Sequence, residues 1–260
     1  MFTRLTFLFL LTSSTLAWGG RSWFEGRYES AHPTAEARQK ALDQVRKHKD
    51  EVVIRDDLDR KLPTFHKRLE KKVTTGETFC QNCHLPLPHS KKLRSRAFLN
   101  MHSRYIACAT CHLRPEGVRF DYRWLDYASW RPVRPDHPFR TGLDIDNSIP
   151  IDGNLKIAPF FSGEPAIPPK DGPFAEKILR RWREGTPAQR AGLKARLHAP
   201  LEEEGPECVA CHTSDRPMLD LQALGAEAEQ VDLIQFHRIP SFFSRYRGDD
   251  EKLKIIGILR

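Results

Sequence analysis

The chain has 260 residues, of which 39% are hydrophobic and 29% charged, and its formal net charge is +8. A mean hydropathy of −0.56 excludes a bundle of membrane-spanning helices, while 5 Trp, 5 Tyr and 15 Phe exclude a wholly disordered chain. The apolar content is low for this length, so we expect the core to need a supplement such as cross-links or cofactors.

The first 17 residues have the features of a secretory signal. A basic start containing Arg4 is followed by the apolar run 5–11, and the small residues Thr15 and Ala17 are then spaced as a signal peptidase requires. The alternative is a membrane-anchoring helix, which would need about 20 apolar residues. We therefore expect cleavage before Trp18, no transmembrane segment after signal removal, and an exported, periplasmic protein.

Residues 18–75 are predicted to be a charged helical N-terminal region. Apolar residues recur among many charges over 34–49, which predicts an amphipathic helix that opens after Pro33. A second charged stretch, 51–72, leads towards the first cysteine.

The six cysteines fall into three pairs with the same spacing, and each pair is followed at once by histidine. The segments are Cys80-Gln-Asn-Cys83-His84, Cys108-Ala-Thr-Cys111-His112 and Cys208-Val-Ala-Cys211-His212. This C-x-x-C-H unit is the attachment signature of c-type haem. Two thiols one helical turn apart can each bond a vinyl group on one porphyrin edge, and the adjacent imidazole can then reach the iron. We predict three covalent haems, with the three histidines as proximal iron ligands.

Other uses of paired cysteines leave part of this pattern unexplained. A zinc ribbon uses two C-x-x-C pairs, so the third pair and three histidines would have no role. A thioredoxin-like redox motif needs a βαβ pattern, which surrounds none of these pairs. Three disulfides are the usual use of six cysteines in an exported protein, but local pairs close very small loops and constrain an unfolded chain little.

These motifs make the chain resemble the multihaem c-type cytochromes. The similarity is strongest from Cys80 to Pro115, where His102 precedes the second motif and Leu-Arg-Pro follows His112, as in the closely packed bis-histidine cytochromes of bacterial respiration. It covers less than half of the chain. No stretch shows convincing strand alternation. We expect a mainly α fold with much coil, an irregular multihaem cytochrome c architecture organised around three covalent haems.

Each iron then needs a second axial ligand, for which the resemblance favours histidine over methionine. A histidine close to one motif lies along the proximal side of that haem and is expected to serve a neighbouring haem. His89 is therefore a candidate distal ligand of the second haem, and His102 of the first. Candidates for the third are His198, His66 and His237 in that order, Met101 is an alternative to His102, and His32, His48 and His137 are expected at the surface.

The rest of the chain divides into three parts. Residues 76–135 carry the first two haems, 136–172 are predicted to be a proline-rich extended connection over the surface, and 173–260 form a helical segment carrying the third haem. Helices are expected over 173–184, from Thr186-Pro187 through Leu197, and around 226–237.

Two clusters in the first of these parts have alternative interpretations. Lys91, Lys92, Arg94 and Arg96 form either a docking surface for an acidic redox partner or an ordinary solvated helix face. The aromatic residues of 120–130 could line a haem pocket or pack in a plain core.

The sequence thus predicts a periplasmic triheme cytochrome c that relays single electrons between redox partner proteins, more an electron carrier than an enzyme. Two alternatives stay open: a haem enzyme in which one open haem, the third, reduces a small nitrogen or sulfur compound, and a haem-stacking subunit of a larger redox complex. No motif favours nucleic-acid binding.

Overall fold

The computed structural model describes residues 20–47, 78–85, 88–89, 96–136, 138–139 and 154–245. Outside them lie the predicted signal segment, the charged stretch 51–72, the basic residues Lys91, Lys92 and Arg94, and the histidines His48, His66 and His137. Among the described residues, no helix is both long and apolar enough to cross a membrane.

Two N-terminal helices begin at side-chain caps. α1 (Trp23–Ser30) opens at Ser22, whose hydroxyl accepts from the Glu25 backbone N–H at 3.3 Å while the Glu25 carboxylate accepts from the Ser22 N–H at 2.6 Å. α2 (Ala35–Lys47) opens at Thr34, directly after Pro33 as predicted, because the Thr34 hydroxyl accepts from a backbone N–H of the first turn.

Two short helices, α3 (Arg96–His102) and α4 (Cys108–His112), precede an antiparallel sheet. The strands are β1 (Asp121–Asp126), β2 (Arg131–Val133), β3 (Leu155–Phe161) and β4 (Glu164–Pro165), in the spatial order β2-β1-β3-β4. β1 and β3 pair along the whole of β1, from Asp121 opposite Phe160 to Asp126 opposite Leu155.

This sheet contradicts the predicted mainly α fold with an irregular haem-centred architecture. In addition, the described residues contain no cluster of three or more His, Cys, Asp or Glu side chains placed to hold a metal ion. β3 falls inside 136–172, the predicted surface connection, yet its Ile157, Ala158 and Phe160 are fully buried. A strand covered on both faces has a nearly continuous apolar run instead of alternation, so β3 lacks the pattern by which a half-buried strand is recognised.

Apolar side chains cover both faces of the sheet. Leu125 of β1 joins the larger core together with Phe160 of β3, and the neighbouring Trp124 joins a second core together with Ile157. Successive strand residues point to opposite faces, so one strand pair contributes to two cores.

The remaining helices are α5 (Pro173–Glu184), α6 (Pro187–His198), α7 (Ala228–Gln235) and α8 (Arg238–Arg245). The helices expected over 173–184, after Thr186 and around 226–237 are therefore confirmed. α5 packs Phe174, Ile178 and Trp182 into the larger core. α6 packs on α2 through alanines, Ala41 against Ala191 and Ala195, which allow the two helices to approach closely.

α4 is fixed directly to the central strand. The Ala107 N–H and the Thr110 hydroxyl both donate to the Ile157 carbonyl, at 2.9 and 2.8 Å, and the Ile157 N–H donates to the Tyr105 carbonyl at 2.8 Å. Thr110 is completely buried. The second C-x-x-C-H segment thus has a rigid support in the middle of the fold.

Candidate functional site

All three C-x-x-C-H segments fold as a single helical turn. The backbone N–H groups of His84 and His212 donate to the carbonyls of Cys80 and Cys208, both at 3.0 Å, and the second segment is α4 itself. Residues three apart lie on one face of such a turn, so the two sulfurs of each pair share a side. This is the arrangement that attachment to one porphyrin edge requires.

The state of the cysteines argues against the other uses of such pairs. All six are free thiols, so the disulfide interpretation has no support. A structural zinc site needs four ligands, and the described residues contain no group of even three. The strand pairs of the sheet are antiparallel, unlike the βαβ setting of a thioredoxin-like motif.

Each histidine of a C-x-x-C-H segment lies beside one histidine from elsewhere in the chain. The ring centres are 5.9 Å apart for His84 and His198, 6.4 Å for His112 and His89, and 6.0 Å for His212 and His102. Six histidines are thus sorted into three pairs, one for each segment.

These separations fit two imidazoles on opposite sides of one metal ion. A ring nitrogen lies about 2 Å from a bound first-row metal and about 1.2 Å from its own ring centre, so two trans ligands have ring centres about 6.4 Å apart. The interplanar angles of 67°, 16° and 89° are all compatible, because rings on a common axis rotate independently. A porphyrin supplies the other four nitrogens, so such an iron needs only two protein ligands and no larger cluster.

Backbone carbonyls fix the tautomer of four of these rings. Nδ1 lies 2.7 Å from the Phe98 oxygen in His102, 3.0 Å from the Glu202 oxygen in His112, 2.8 Å from the Lys194 oxygen in His198 and 2.6 Å from the Ile234 oxygen in His212. A carbonyl oxygen only accepts, so Nδ1 carries the proton. Nε2 therefore keeps the lone pair that binds a metal.

Burial favours the neutral form of four of the six paired rings. It lowers the pKa of His89, His102 and His198. It also lowers the pKa of His84, to which the nearby His198 and Lys194 contribute as well. Neutral imidazole is the metal-binding form, so the electrostatic setting suits axial ligation.

The observed neighbours differ from the expected pairing at two of the three sites. His89 lies beside His112, in the place expected for a ligand of the second site. His102, expected at the first site, lies beside His212, whereas His198, expected at the third, lies beside His84. Distance along the chain ranked these candidates, whereas the fold brings the end of α6 beside the first segment and the end of α3 beside the third.

The other candidates lie elsewhere. His237 is exposed, and its Nδ1 accepts from the Ile239 backbone N–H at 3.2 Å. His32 is exposed as predicted. Met101 is 45% exposed, so His102 rather than its neighbour is the residue of α3 that meets a motif histidine.

The second segment lies between the other two. The Cys80 and Cys108 thiols are close enough to shift each other's pKa, and the Thr78 hydroxyl, two residues before Cys80, lies 3.8 Å from the Cys108 sulfur, so the first segment adjoins the second. At the other end, burial raises the pKa of Cys211 to about 12 and nearby Cys111 adds to the rise, so the second and third segments are neighbours as well. The three segments form a continuous row.

Two tyrosines lie at the junctions of this row. Burial raises the pKa of Tyr127 well above its ordinary value, with smaller contributions from Cys108 and Cys80, and burial raises the pKa of Tyr122, with contributions from Cys211 and Cys111. The Tyr127 hydroxyl is buried and has no hydrogen-bond partner among the described residues. Such an unsatisfied donor fits a site that receives a polar group from outside the chain.

A buried cation lies beside the second segment. Lys156 of β3 is 3% exposed and donates to the carbonyls of Ser103 and Arg104 at 2.5 and 3.3 Å. The hydrogen bond from Cys80 and smaller contributions from Thr78 and Lys156 lower the pKa of Cys108 to about 6. The sequence did not single out Lys156, because its burial follows from the strand that the sequence did not reveal.

Comparison with protein-family models, with curated proteins and with solved structures gave no match. The functional interpretation therefore depends on the motifs and the geometry of this chain.

Proposed function

We propose that this protein is an exported electron carrier that binds three c-type haems, one at each C-x-x-C-H segment, and passes single electrons along the row. The observation that carries the proposal is the three histidine pairs, each joining a motif histidine to one distant histidine at 5.9–6.4 Å. Unrelated surface histidines would not pair one to one with the three motifs at the spacing of trans ligands.

The cysteines would attach the cofactor. In each thioether, the S–H of one cysteine adds across one vinyl double bond, so the step consumes no oxidant and releases nothing. The contact with Cys80 lowers the pKa of Cys108, which favours the thiolate, the nucleophilic form. When bound, the haem supplies a one-electron Fe(III)/Fe(II) couple.

The histidine pairs would fill both axial positions of each iron. His84 and His198 hold the first site, His112 and His89 the second, and His212 and His102 the third. Filled axial positions exclude small molecules, which favours electron transfer over catalysis at the metal. The alternative function was an enzyme in which the third haem is open. At the third site the ring centres of His102 and His212 are 6.0 Å apart, so the geometry favours the electron carrier.

The compartment and partners are part of the proposal. Residues 1–17 have the pattern of a secretory signal, and cytochromes with this attachment signature, which the chain resembles, work in bacterial respiration. We infer a periplasmic carrier whose electron donor and acceptor are redox proteins.

Haem counting tests this proposal. The full chain, produced in a host with a haem-attachment system, should carry three covalent haems by intact mass and by pyridine haemochromogen absorbance. Cys208→Ala/Cys211→Ala should carry two, and an exposed control, Val209→Ala within the same motif, should keep three. Wild-type protein without covalent haem would overturn the proposal.

A further inference from the structure

Helix α3 serves two of the three candidate sites. Its last residue, His102, lies beside His212 at the third site. Two residues earlier, Asn100 contacts His89, which lies beside His112 at the second site.

Asn100 holds His89 by both its backbone and its ring. The side-chain oxygen Oδ1 of Asn100 accepts from the His89 backbone N–H at 3.1 Å and lies 3.2 Å from Nδ1 of the ring. The side-chain nitrogen Nδ2 of Asn100 donates to the His89 backbone carbonyl at 3.0 Å. The Asn100 side-chain amide thus pairs with the His89 backbone through both its oxygen and its nitrogen, as two paired strand residues do.

This contact fixes the chemical state of the His89 ring. Once the Asn100 amide nitrogen has donated to the His89 carbonyl, its oxygen is the atom facing Nδ1, so Nδ1 must be the donor. Nε2 is then unprotonated. The ring planes of His89 and His112 are nearly parallel, 16° apart, with centres 6.4 Å apart.

His89 differs from the other two distal histidines in how it is held. His102 and His198 each end a helix and bond a carbonyl of their own helix, four residues earlier. His89 lies outside any helix. Its hydrogen bonds within the described residues all go to Asn100. The Asn100 side chain therefore orients the His89 ring, whereas a backbone carbonyl of the same helix orients His102 and His198.

We propose that Asn100 is a positioning residue that orients His89 as the sixth ligand of the middle haem. This inference rests on the proposed function. Without the Asn100 amide, His89 loses three hydrogen bonds together and the middle iron loses its distal ligand, while the first and third irons keep theirs because their distal histidines are held by helices.

The test compares Asn100→Ala, Asn100→Asp and the matched control Met101→Ala, an exposed neighbour on the same helix. In Asn100→Ala we expect about one high-spin haem per protein, CO binding by that haem when reduced, and recovery of the low-spin spectrum with added imidazole. In Asn100→Asp the carboxylate still accepts from Nδ1–H, so the haem should stay low-spin but with a lowered reduction potential, since an anionic acceptor makes the imidazole a stronger donor. Met101→Ala should match wild type.

Asn100→Ala with three low-spin haems, no CO binding and unchanged potentials would overturn the inference, as would an equal effect of Met101→Ala. If the wild-type protein carries three haems, either result would overturn only the role of Asn100 and leave the proposed function standing. A wild type without haem would overturn both.

Discussion

Replacing His198 by alanine should open one of the three haem sites. His198 is the only distal candidate beside His84, at 5.9 Å between ring centres, among the histidines that the structure describes. Its loss should convert about one third of the haem to the high-spin form and raise CO binding from none to about one per protein. The matched control is His237→Ala, because His237 is exposed and lies outside the pairs.

The affected site can be identified by removing one haem at a time. When His198→Ala is combined with Cys80→Ala/Cys83→Ala, the open haem should be missing and CO binding should return to none. When it is combined with Cys208→Ala/Cys211→Ala, CO binding should persist. Magnetic circular dichroism of the oxidised protein and CO titration of the reduced protein measure these outcomes.

The opposite pattern would refute the reasoning. If CO binding disappeared with the third segment and not with the first, His198 would serve the third haem, as distance along the chain suggested, and the pairing derived from the fold would be wrong.

Three further predictions follow from burial and charge. Lys156→Gln should lower the reduction potential of the middle haem in a potentiometric titration, because the buried positive charge of Lys156 stabilises ferrous iron relative to ferric iron. The control Lys40→Gln, at the exposed surface, should leave the potential unchanged. Phe160→Ala should lower the free energy of unfolding by about 3–5 kcal/mol in denaturant titration, since Phe160 is fully buried. The control Phe161→Ala should lower it by less than about 1 kcal/mol, since Phe161 is 40% exposed. Equal losses would contradict the sheet register. Protein produced without haem attachment should show weak near-UV circular dichroism and rapid proteolysis, and a cooperative, stable haem-free form would contradict a core completed by cofactors.

Local sequence signals located four of the eight α-helices in the described residues, namely α2, α5, α6 and α7. Pro33 and the Thr186-Pro187 pair mark helix starts that depend only on nearby residues, and the structure places α2 and α6 there. The spacing of Phe174, Ile178, Leu179 and Trp182 predicts one apolar face for α5, and all of these except the partly buried Leu179 are buried.

The sheet and the pairing could not be found in this way. β3 is buried on both faces, so its sequence has no period of two, and its Pro159 and Lys156 argue locally against a central strand. The partner of each motif histidine depends on contacts between distant parts of the chain, such as the end of α6 beside the first segment. Asn100 and Lys156 carry no motif at all, because their roles arise only where the fold brings them to His89 and to the second segment.

The spin state of the haems in the wild-type protein tests the central claim most directly. The account predicts three covalently attached haems, all low-spin in the ferric state by magnetic circular dichroism, with no CO binding after reduction. A high-spin ferric haem in the intact wild-type chain, or CO bound in proportion to the protein, would contradict the assignment of a histidine pair to every site.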